Sequence, residues 1–498
     1  MIFILSSAFI EKEFQIEFGE IPPIFLPIQD KNLIYLQLDS LKKFNEKIVI
    51  TLPKGFETPY SFKKLIQQYE CEILFFDPRI SLGKLLAAIL KKYNDSIYRI
   101  YYGDTLVNNL DQKDGNFYFV SKTYSDNSWF FFNKKELFFS GYFQFADKKK
   151  IINFLILSKF NFDVFFNEAS SFYLKRKINN NILDFGHINT YFINKAEFLK
   201  GRSFNNFYFR NNKIKKYSNN YKKIKAEVLW FKKIPKEIKQ FCVQLLDYDD
   251  KSYTIEYLPY ISLSEYFLHS KLSIFVWEKI IKAVYLYLNT ISKIPIRTNE
   301  TFDEKAYFNN LAKYFDNLID YIEEAQLIDT NKNLIINGRK FNSLKFELKE
   351  IKRKVLQSKN IIKYIHGDLS FSNIFYDSRL GQIKLIDPRG LDFKNNYSLI
   401  GNFNYEIAKF FQLLYGDYDL ILSGNFELIE NDNCYKFVVH KTDYQIQIQN
   451  SLRNSIIHKK YFNKATMNLI RFLYISMLPK HSDSKERQIA FILNFFII

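Results

Sequence analysis

Residues 364–390 read YIHGDLSFSNIFYDSRLGQIKLIDPRG. Lys363-Tyr364-Ile365 predicts a strand that runs into a loop. Ile374-Phe375-Tyr376 and Ile383-Lys384-Leu385-Ile386 flank the Gly-containing turn Asp377-Ser378-Arg379-Leu380-Gly381, which predicts a hairpin. The loop and the far end of the hairpin carry His366-Gly367-Asp368, Asn373 and Asp387: a carboxylate, a carboxamide and a second carboxylate. Hard oxygen donors of this kind suit Mg²⁺, which keeps several waters, so one or two side chains suffice to hold it. Each residue singly has an ordinary reading. His-Gly-Asp can cap a turn, Asn373 can sit in an Asx-turn, and Asp387-Pro388 can open another turn. The set as a whole, at this spacing, argues for chemistry.

Asp368 and Asn373 are spaced as in the kinase catalytic loop H-R-D-x-x-x-x-N. There the Asp accepts the proton of the attacking hydroxyl, and the Asn and a later Asp hold the metal ions on the ATP phosphates. A phosphoryl group leaving ATP spreads charge over its oxygens, so catalysis is mostly positioning and charge neutralisation. The residues HGDLSFSN followed by LIDPRG resemble the aminoglycoside phosphotransferase and choline kinase family, whose motif is HGDxxxxN, a strand, then IDP or IDW. The resemblance implies an α+β, protein-kinase-like bilobal domain that uses ATP and Mg²⁺. It implies Asp368 as catalytic base, Asn373 and Asp387 as metal ligands, and His366 as a structural brace of the loop. Ser370-Phe371-Ser372 departs from the Pro or Gly often found before the Asn, so no known acceptor carries over.

Upstream, Phe207–Tyr217 alternates as two strands turning at Asn211-Asn212, and Lys223–Lys233 carries Ile224, Val228 and Phe231 on one helical stripe. A kinase needs a strand Lys for the α/β-phosphates and a Glu on the next helix to position it. Lys216 and Glu227 fit, with Lys215 on the opposite strand face as the competing choice. No G-x-G-x-x-G precedes the strand, and Gly201-Arg202-Ser203-Phe204-Asn205-Asn206 is the candidate phosphate-covering turn. Tyr253–Leu258 reads as the last N-lobe strand running into a hinge, and Leu263–Leu288 and Phe302–Ala325 as C-lobe helices. Asn404–Phe410 resembles the family's helix after the metal Asp. The expected domain spans 200–498, with an N-lobe to about 260 and a C-lobe from about 261.

The first 195 residues alternate short apolar runs (Ile2–Ser6, Lys47–Leu52, Glu72–Phe76, Tyr98–Tyr102) with helical segments such as Leu82–Tyr93. This predicts an α/β, Rossmann-like domain with a mainly parallel sheet. Tyr101-Tyr102-Gly103-Asp104-Thr105 and Ile182-Leu183-Asp184-Phe185-Gly186-His187 stand at strand ends, where such sheets place ligands. With Ile21-Pro22-Pro23-Ile24-Phe25-Leu26-Pro27-Ile28 they resemble the sugar-phosphate nucleotidyltransferases. The resemblance implies that Asp104 and Asp184 share a Mg²⁺, with CTP, UTP or dTTP as the nucleotide. The family's first loop is glycine-rich with an Arg. Here it reads Ser6-Ser7-Ala8-Phe9-Ile10-Glu11-Lys12-Glu13, and the signature Lys is replaced at Pro23-Ile24, both of which disfavour a triphosphate. A degenerate, ligand-binding domain is the alternative. His187 is either a ligand contact or a hydrogen-bonded structural residue.

At 498 residues the chain is long enough for two domains, and 47% hydrophobic residues are ample for packed cores. The cysteines Cys71, Cys242 and Cys434 are far apart, which excludes a C-x-x-C zinc site and fits a reducing compartment. No basic n-region opens the chain, and no run reaches the ~18 apolar residues of a membrane span. The C-terminal IAFILNFFII predicts a packed helix or strand. The net charge of +18 comes from lysines spread along the chain without a nucleic-acid motif, so nucleic acid is not the expected partner. Together these readings describe a cytoplasmic bacterial enzyme of capsule or other surface-polysaccharide precursor synthesis. Its kinase domain would phosphorylate a small hydroxyl substrate (sugar, polyol or amino alcohol), and its N-terminal domain would add the nucleotide. The alternatives are a monofunctional kinase with a ligand-binding N-terminal domain, or a pseudokinase binding module.

Overall fold

In a computed structural model of the chain, Phe3 and Leu5 join one hydrophobic core and Ile2 and Ile4 another, so the strand Ile2–Leu5 is buried on both faces. The residues described are 1–29, 31–108, 110, 114–121, 137–198, 205–297, 302–392 and 395–498. The chain divides into two compact units, Met1–Thr58 with Phe62–Phe198 and His269–Leu272, and Pro59–Ser61 with Leu199–Leu268 and Ser273–Ile498. Two short segments therefore trade places relative to a single cut near residue 200. The Lys271 amide bonds to the Phe18 carbonyl at 2.6 Å within the first unit, and the Ser61 amide bonds to Asn425 Oδ1 at 2.8 Å within the second.

The first unit is built on a seven-stranded sheet ordered Lys175–Ile178, Phe117–Ser121, Phe138–Phe145, Tyr98–Tyr102, Ile2–Leu5, Ile48–Pro53, Glu72–Phe76. All neighbours are parallel except Phe138–Phe145, which runs antiparallel to both of its partners. Continuous apolar runs such as Ile48–Leu52 are what a sheet covered on both faces demands. One face is covered by the helices Leu82–Lys92, Lys148–Leu157 and Phe162–Phe172, and the other by Leu33–Leu41 and by Phe62, Leu65 and Ile66. Asp184 does not end a strand of this sheet, contrary to the reading from sequence. It closes a two-stranded ribbon, Thr105–Val107 against Ile182–Asp184, that folds back from the end of Tyr98–Tyr102.

The second unit opens with an antiparallel sheet ordered Asn205–Arg210, Lys213–Ser218, Ser252–Glu256, Leu245–Tyr248. The helix Tyr221–Lys233 follows its second strand and is capped by Asn220, whose side chain accepts from the Lys223 amide. Of the candidate phosphate-covering turn, residues 201–204 lie outside the described residues. The remainder is mainly helical, with Ile274–Lys293, Glu304–Glu324, Phe403–Gly416 and Lys464–Ser476 among its longest elements. The hairpin Ile374–Asp377 and Gln382–Leu385 extends a short strand at Ile261–Ser262. A further sheet joins Leu334–Ile336 and Arg339–Phe341 to the hairpin Phe426–Asn431 and Cys434–Val439, which the sequence reading did not anticipate. The C-terminal apolar run lies in the helix Lys485–Ile497 and is almost wholly buried. All three cysteines are free. Among the described residues no helix is long and apolar enough to cross a membrane.

Candidate active site

Strand parity turns Lys216 into the second unit and Lys215 out of it. Lys215 is exposed and, among the described residues, pairs only with Asp249, at 3.8 Å. Lys216 is 1% exposed and its Nζ lies 2.7 Å from Glu227 Oε2, on a side chain that is 0% exposed. The same ammonium contacts Asp387 Oδ1. Tyr253 donates to Glu227 Oε2 at 2.8 Å, and Lys223, one helical turn before Glu227, lies 3.4 Å from Oε1. Burial raises the pKa of Glu227, and the Asp387 charge adds to that rise. Burial also works against ionisation of Asp387, but Lys216 and then Lys223 overcome it and pull the carboxyl down to about 2. Asp387 holds a left-handed backbone (φ 57) just past the hairpin, a conformation that Asp tolerates better than bulky residues.

The loop before the hairpin is held from behind by Glu406. Its Oε1 accepts from the His366 amide and its Oε2 from the Gly367 amide, each at 2.9 Å, and Tyr287 donates to Oε1 at 3.0 Å. Glu406 is fully buried, and that burial pushes its carboxyl up to about 7. The His366 ring is buried edge-on against Trp230, at 5.4 Å and 84°, and no described group bonds to either ring nitrogen. Burial lowers its pKa, so it stands as a neutral ring. Trp230 donates to the Ile365 carbonyl at 2.8 Å, and the Arg389 amide to the His366 carbonyl at 2.9 Å.

Asp368 points from this loop with 37% of its side chain exposed, and the buried Lys409 lies 3.1 Å from its Oδ1. Burial opposes ionisation there too, yet Lys409 and then Lys480 hold the carboxyl below its ordinary range. Asn373 donates through Nδ2 to the Asp368 carbonyl at 2.9 Å, which leaves Oδ1 as the free end of the amide. The Ile386 amide bonds to the Asn373 carbonyl at 3.1 Å, tying the loop to the strand before Asp387. Asn373 Oδ1 and the Asp387 carboxylate form the hard-oxygen donor set that Mg²⁺ takes, so the residues fit that ion. Among the described residues no group of three or more His, Cys, Asp or Glu side chains is arranged for a metal.

In the first unit, Asp104 and Asp184 face each other across Gly186. A Cβ built on Gly186 would lie 2.7 Å from Asp104 Oδ2 and 3.2 Å from Asp184 Oδ1, so a larger residue there would have to displace the Asp104 carboxylate. Asp184 is already engaged. It accepts from the Gly186 amide at 2.9 Å and from Thr190 at 2.8 Å, and His187 Nδ1 lies 2.9 Å from Oδ2. Burial and then the Asp184 charge push Asp104 up to about 6. His187 is raised despite its burial, by Asp184. Two carboxylates that repel each other in a buried place suit a cation between them, so the donor chemistry at Asp104 and Asp184 fits Mg²⁺. Two cavities meet at Asp104 and His187. One, of about 480 Å³, is lined by Asn108, Asn181, Asn194, Thr190 and Phe139 among others. The other, of about 230 Å³, lies under the loop Ser6–Glu11, and no Lys or Arg lines it among the described residues. Gly103 is needed at the base of that loop, because a Cβ there would lie 2.8 Å from Ser6 Cβ.

No protein-family model and no curated protein matches the sequence. Among solved structures, the chain is similar to CTP:phosphocholine cytidylyltransferase from Streptococcus pneumoniae at 15% identity, over 40% of this chain and 98% of that one, with a TM-score of 0.31. It is similar to the nucleoside-diphosphate-sugar pyrophosphorylase from Vibrio cholerae at 12% identity, over 40% and 100% of the two chains, with a TM-score of 0.32. It is also similar to the ADP-bound aminoglycoside phosphotransferase APH(2'')-Ib at 13% identity, over 60% and 90%, with a TM-score of 0.37. At such identities the chemistry of this chain has to be read from its own side chains.

The structure brings together Lys216, Glu227 and Asp387, ties Asn373 to Asp368, and sets Asp104 beside Asp184. Sequence reasoning missed Lys223, Trp230, Glu406, Lys409 and Lys480. Glu406 and Lys409 were within a motif noted for its likeness to a family helix, and their spacing of three on one helix face was the available signal. Lys480 lies in the turn Leu478–His481 and gave no signal at all.

Proposed function

We propose that the second unit is an ATP- and Mg²⁺-dependent phosphotransferase acting on a hydroxyl of a small molecule such as a sugar, polyol or amino alcohol. The observation that carries the reading is Lys216, held in a buried pair with Glu227 and aimed at Asp387, 2.7 Å from the first and in contact with the second. A buried ammonium tethered by two carboxylates has little structural reason to exist, since removing both partners is often neutral for stability. It has a chemical one, because a fixed cation neutralises charge on transferring phosphates. Mg²⁺ held by Asn373 and Asp387 would supply further neutralisation of the ATP oxygens.

Asp368 would orient the acceptor hydroxyl. Lys409 keeps it ionised, which makes it a good hydrogen-bond acceptor and a weak base. A loose phosphoryl transition state asks for orientation more than for early proton removal. The acceptor oxygen bonds to the γ-phosphorus, the bond to the β,γ-bridging oxygen breaks, and ADP leaves with that electron pair. The hydroxyl proton passes to Asp368 or through it to water. Asp368→Asn is expected to abolish acceptor-dependent ADP release, a loss of at least about 10², with the fold retained by circular dichroism although Lys409 loses its charged partner. Turnover near that of the parent protein refutes the assignment.

For the first unit, the chemistry of the 230 Å³ cavity favours ligand binding over nucleotidyl transfer. Among the described residues Glu11 and Asp104 line it without a Lys or Arg, and a triphosphate needs cations or free backbone amides there. Mg²⁺-dependent binding of CTP, UTP or dTTP by the full chain, lost in Asp104→Ala, would restore the bifunctional reading. A role in cytoplasmic surface-polysaccharide precursor synthesis rests on the pairing of two such units.

A further inference from the structure

The helix Tyr221–Lys233 opens in a way that its own backbone does not favour. Asn220 caps it, and its first turn carries Lys222 and Lys223 and no acidic residue. The N-terminal end of a helix dipole is positive, so carboxylates are the stabilising side chains there and lysines are not. Lys223 nevertheless turns into the site. Its ammonium lies 3.4 Å from Glu227 Oε1 and 4.0 Å from Asp387 Oδ1. The helix is seated on the loop that follows Asp387: a Cβ on Gly390 would stand 2.5 Å from the Ala226 carbonyl oxygen. The stretch of helix that carries Lys223, Ala226 and Glu227 therefore meets the backbone that carries Asp387.

Among the described residues, Lys216 and Lys223 face Glu227 and Asp387 here, so positive and negative charges are matched. The match lasts only while Asp387 is free to answer the lysines. Asp387 is also a Mg²⁺ donor in the phosphotransferase reading, and a carboxylate that holds a divalent ion has less charge left for its neighbours. Glu227 then stands alone against two ammoniums, at 2.7 Å and 3.4 Å. Asp368 is already paired with Lys409, at 3.1 Å. One positive charge is left over, and the two lysines do not share it equally. The Lys216 side chain is 1% exposed and that of Lys223 is 34% exposed, so Lys223 presents the surplus to whatever enters. A nucleoside triphosphate remains anionic with one Mg²⁺ bound. No G-x-G-x-x-G precedes the Lys216 strand to cover its phosphates, which puts more of that work on side-chain cations.

We propose that Lys223 is a second phosphate-binding residue of the second unit: with Asp387 engaged by Mg²⁺, the Lys223 ammonium contacts phosphate oxygens of the bound nucleotide alongside Lys216. This rests on the phosphotransferase reading above and deepens it. Lys216 is a fixed cation, locked between two carboxylates. Lys223 is a movable one, placed one helical turn before Glu227 on a flexible four-carbon stem. Its two contacts are loose enough to exchange Asp387 for a phosphate oxygen without moving the helix. The new contact would be charge-assisted and stronger than the one given up.

The test titrates the full chain with a non-hydrolysable ATP analogue and Mg²⁺ by calorimetry, at low and at high sodium chloride. Lys223→Gln removes the charge and leaves Lys216 with both carboxylates, so the fold should be kept by circular dichroism. It should weaken binding of the Mg²⁺-loaded analogue about tenfold or more. It should also make the remaining affinity less sensitive to salt, because one ionic contact is gone. Lys223→Arg should keep most of the affinity and the salt dependence of the parent. Lys223→Ala serves as a second charge-free variant should the glutamine variant fold poorly. The proposal is overturned if the charge-free variant binds the analogue as the parent does. It is equally overturned if Lys223→Arg loses as much as the charge-free variant, or if the weakened affinity keeps the parent's salt dependence, since either would make Lys223 a brace of the helix. Failure of the parent protein to bind the Mg²⁺-loaded analogue would instead bring down the phosphotransferase reading, and this proposal with it.

Discussion

Lys216→Met removes one partner of an ion pair whose side chains are 1% and 0% exposed. Breaking a buried pair from one side costs about 3–5 kcal/mol, because the remaining charge is left in a poor solvent. Glu227 would keep Lys223 at 3.4 Å and the Tyr253 hydroxyl at 2.8 Å, so the cost should fall at the low end, about 3 kcal/mol. For a unit of this size that is a drop of about 5 °C in the unfolding midpoint. Replacing both partners (Lys216→Met with Glu227→Leu) removes the stranded charge. It leaves the Tyr253 hydroxyl short of an acceptor, about 1 kcal/mol, and, as in the single variant, leaves Asp387 with Lys223 at 4.0 Å in place of Lys216. The double variant should therefore be more stable than the single one by about 2 kcal/mol, while affinity for Mg²⁺-bound nucleotide stays lost in both. Scanning calorimetry gives the midpoints, and the fluorescence of Trp230, on the same helix as Glu227, reports the local transition. A single variant within about 1 kcal/mol of the parent, or a double variant less stable than the single, would refute the view that Glu227 is charged and dependent on Lys216.

Three further outcomes follow from the geometry. Glu406 has its folded-state carboxyl raised from 4.5 to about 7, so the folded protein holds that proton more tightly than the unfolded chain. Its contribution to stability is therefore intact below about pH 4.5 and declines as pH rises to about 7, by roughly 3 kcal/mol in all. Glu406→Gln should flatten that slope between about pH 5 and pH 8, and unchanged slopes in the two proteins would contradict the assignment. Gly186→Ala places a methyl 2.7 Å from Asp104 Oδ2 and should cost about 1–3 kcal/mol in calorimetry; a neutral substitution would mean the carboxylates are not held together as described. Trp230→Phe strands the Ile365 carbonyl, at a cost of about 1–2 kcal/mol, and should lower kcat more than it changes the KM for ATP, because the loop carrying Asp368 loses a brace.

Much of the second unit's candidate site could be assembled from sequence because its parts are close along the chain. Asp368 and Asn373 share one loop, the hairpin to Asp387 announces itself by alternation around a Gly turn, and a helix after a strand is visible from its apolar stripe. Local pattern also carried the parallel strands of the first unit, whose apolar runs have to be buried on both sides. It failed on Leu334–Ile336 and Arg339–Phe341, because strands of three residues carry too little periodicity to stand out, and the hairpin Phe426–Val439 that they join was not anticipated either.

The sequence by itself determined which chemical groups are present and which of them share a loop or a strand face. It left Lys215 and Lys216 as a two-way choice, since alternation says that one of them points inward and not which. Packing of the helix Tyr221–Lys233 against the sheet decided it, by burying Glu227 on the Lys216 side. Only the tertiary structure supplied the cations around Asp368, which come from Lys409 and Lys480 on separate elements, and the Glu406 carboxylate that holds the His366 and Gly367 amides from 40 and 39 residues away. Electrostatic interaction depends on distance through space and not along the chain, so the charge that Asp368 experiences exists only in the folded protein.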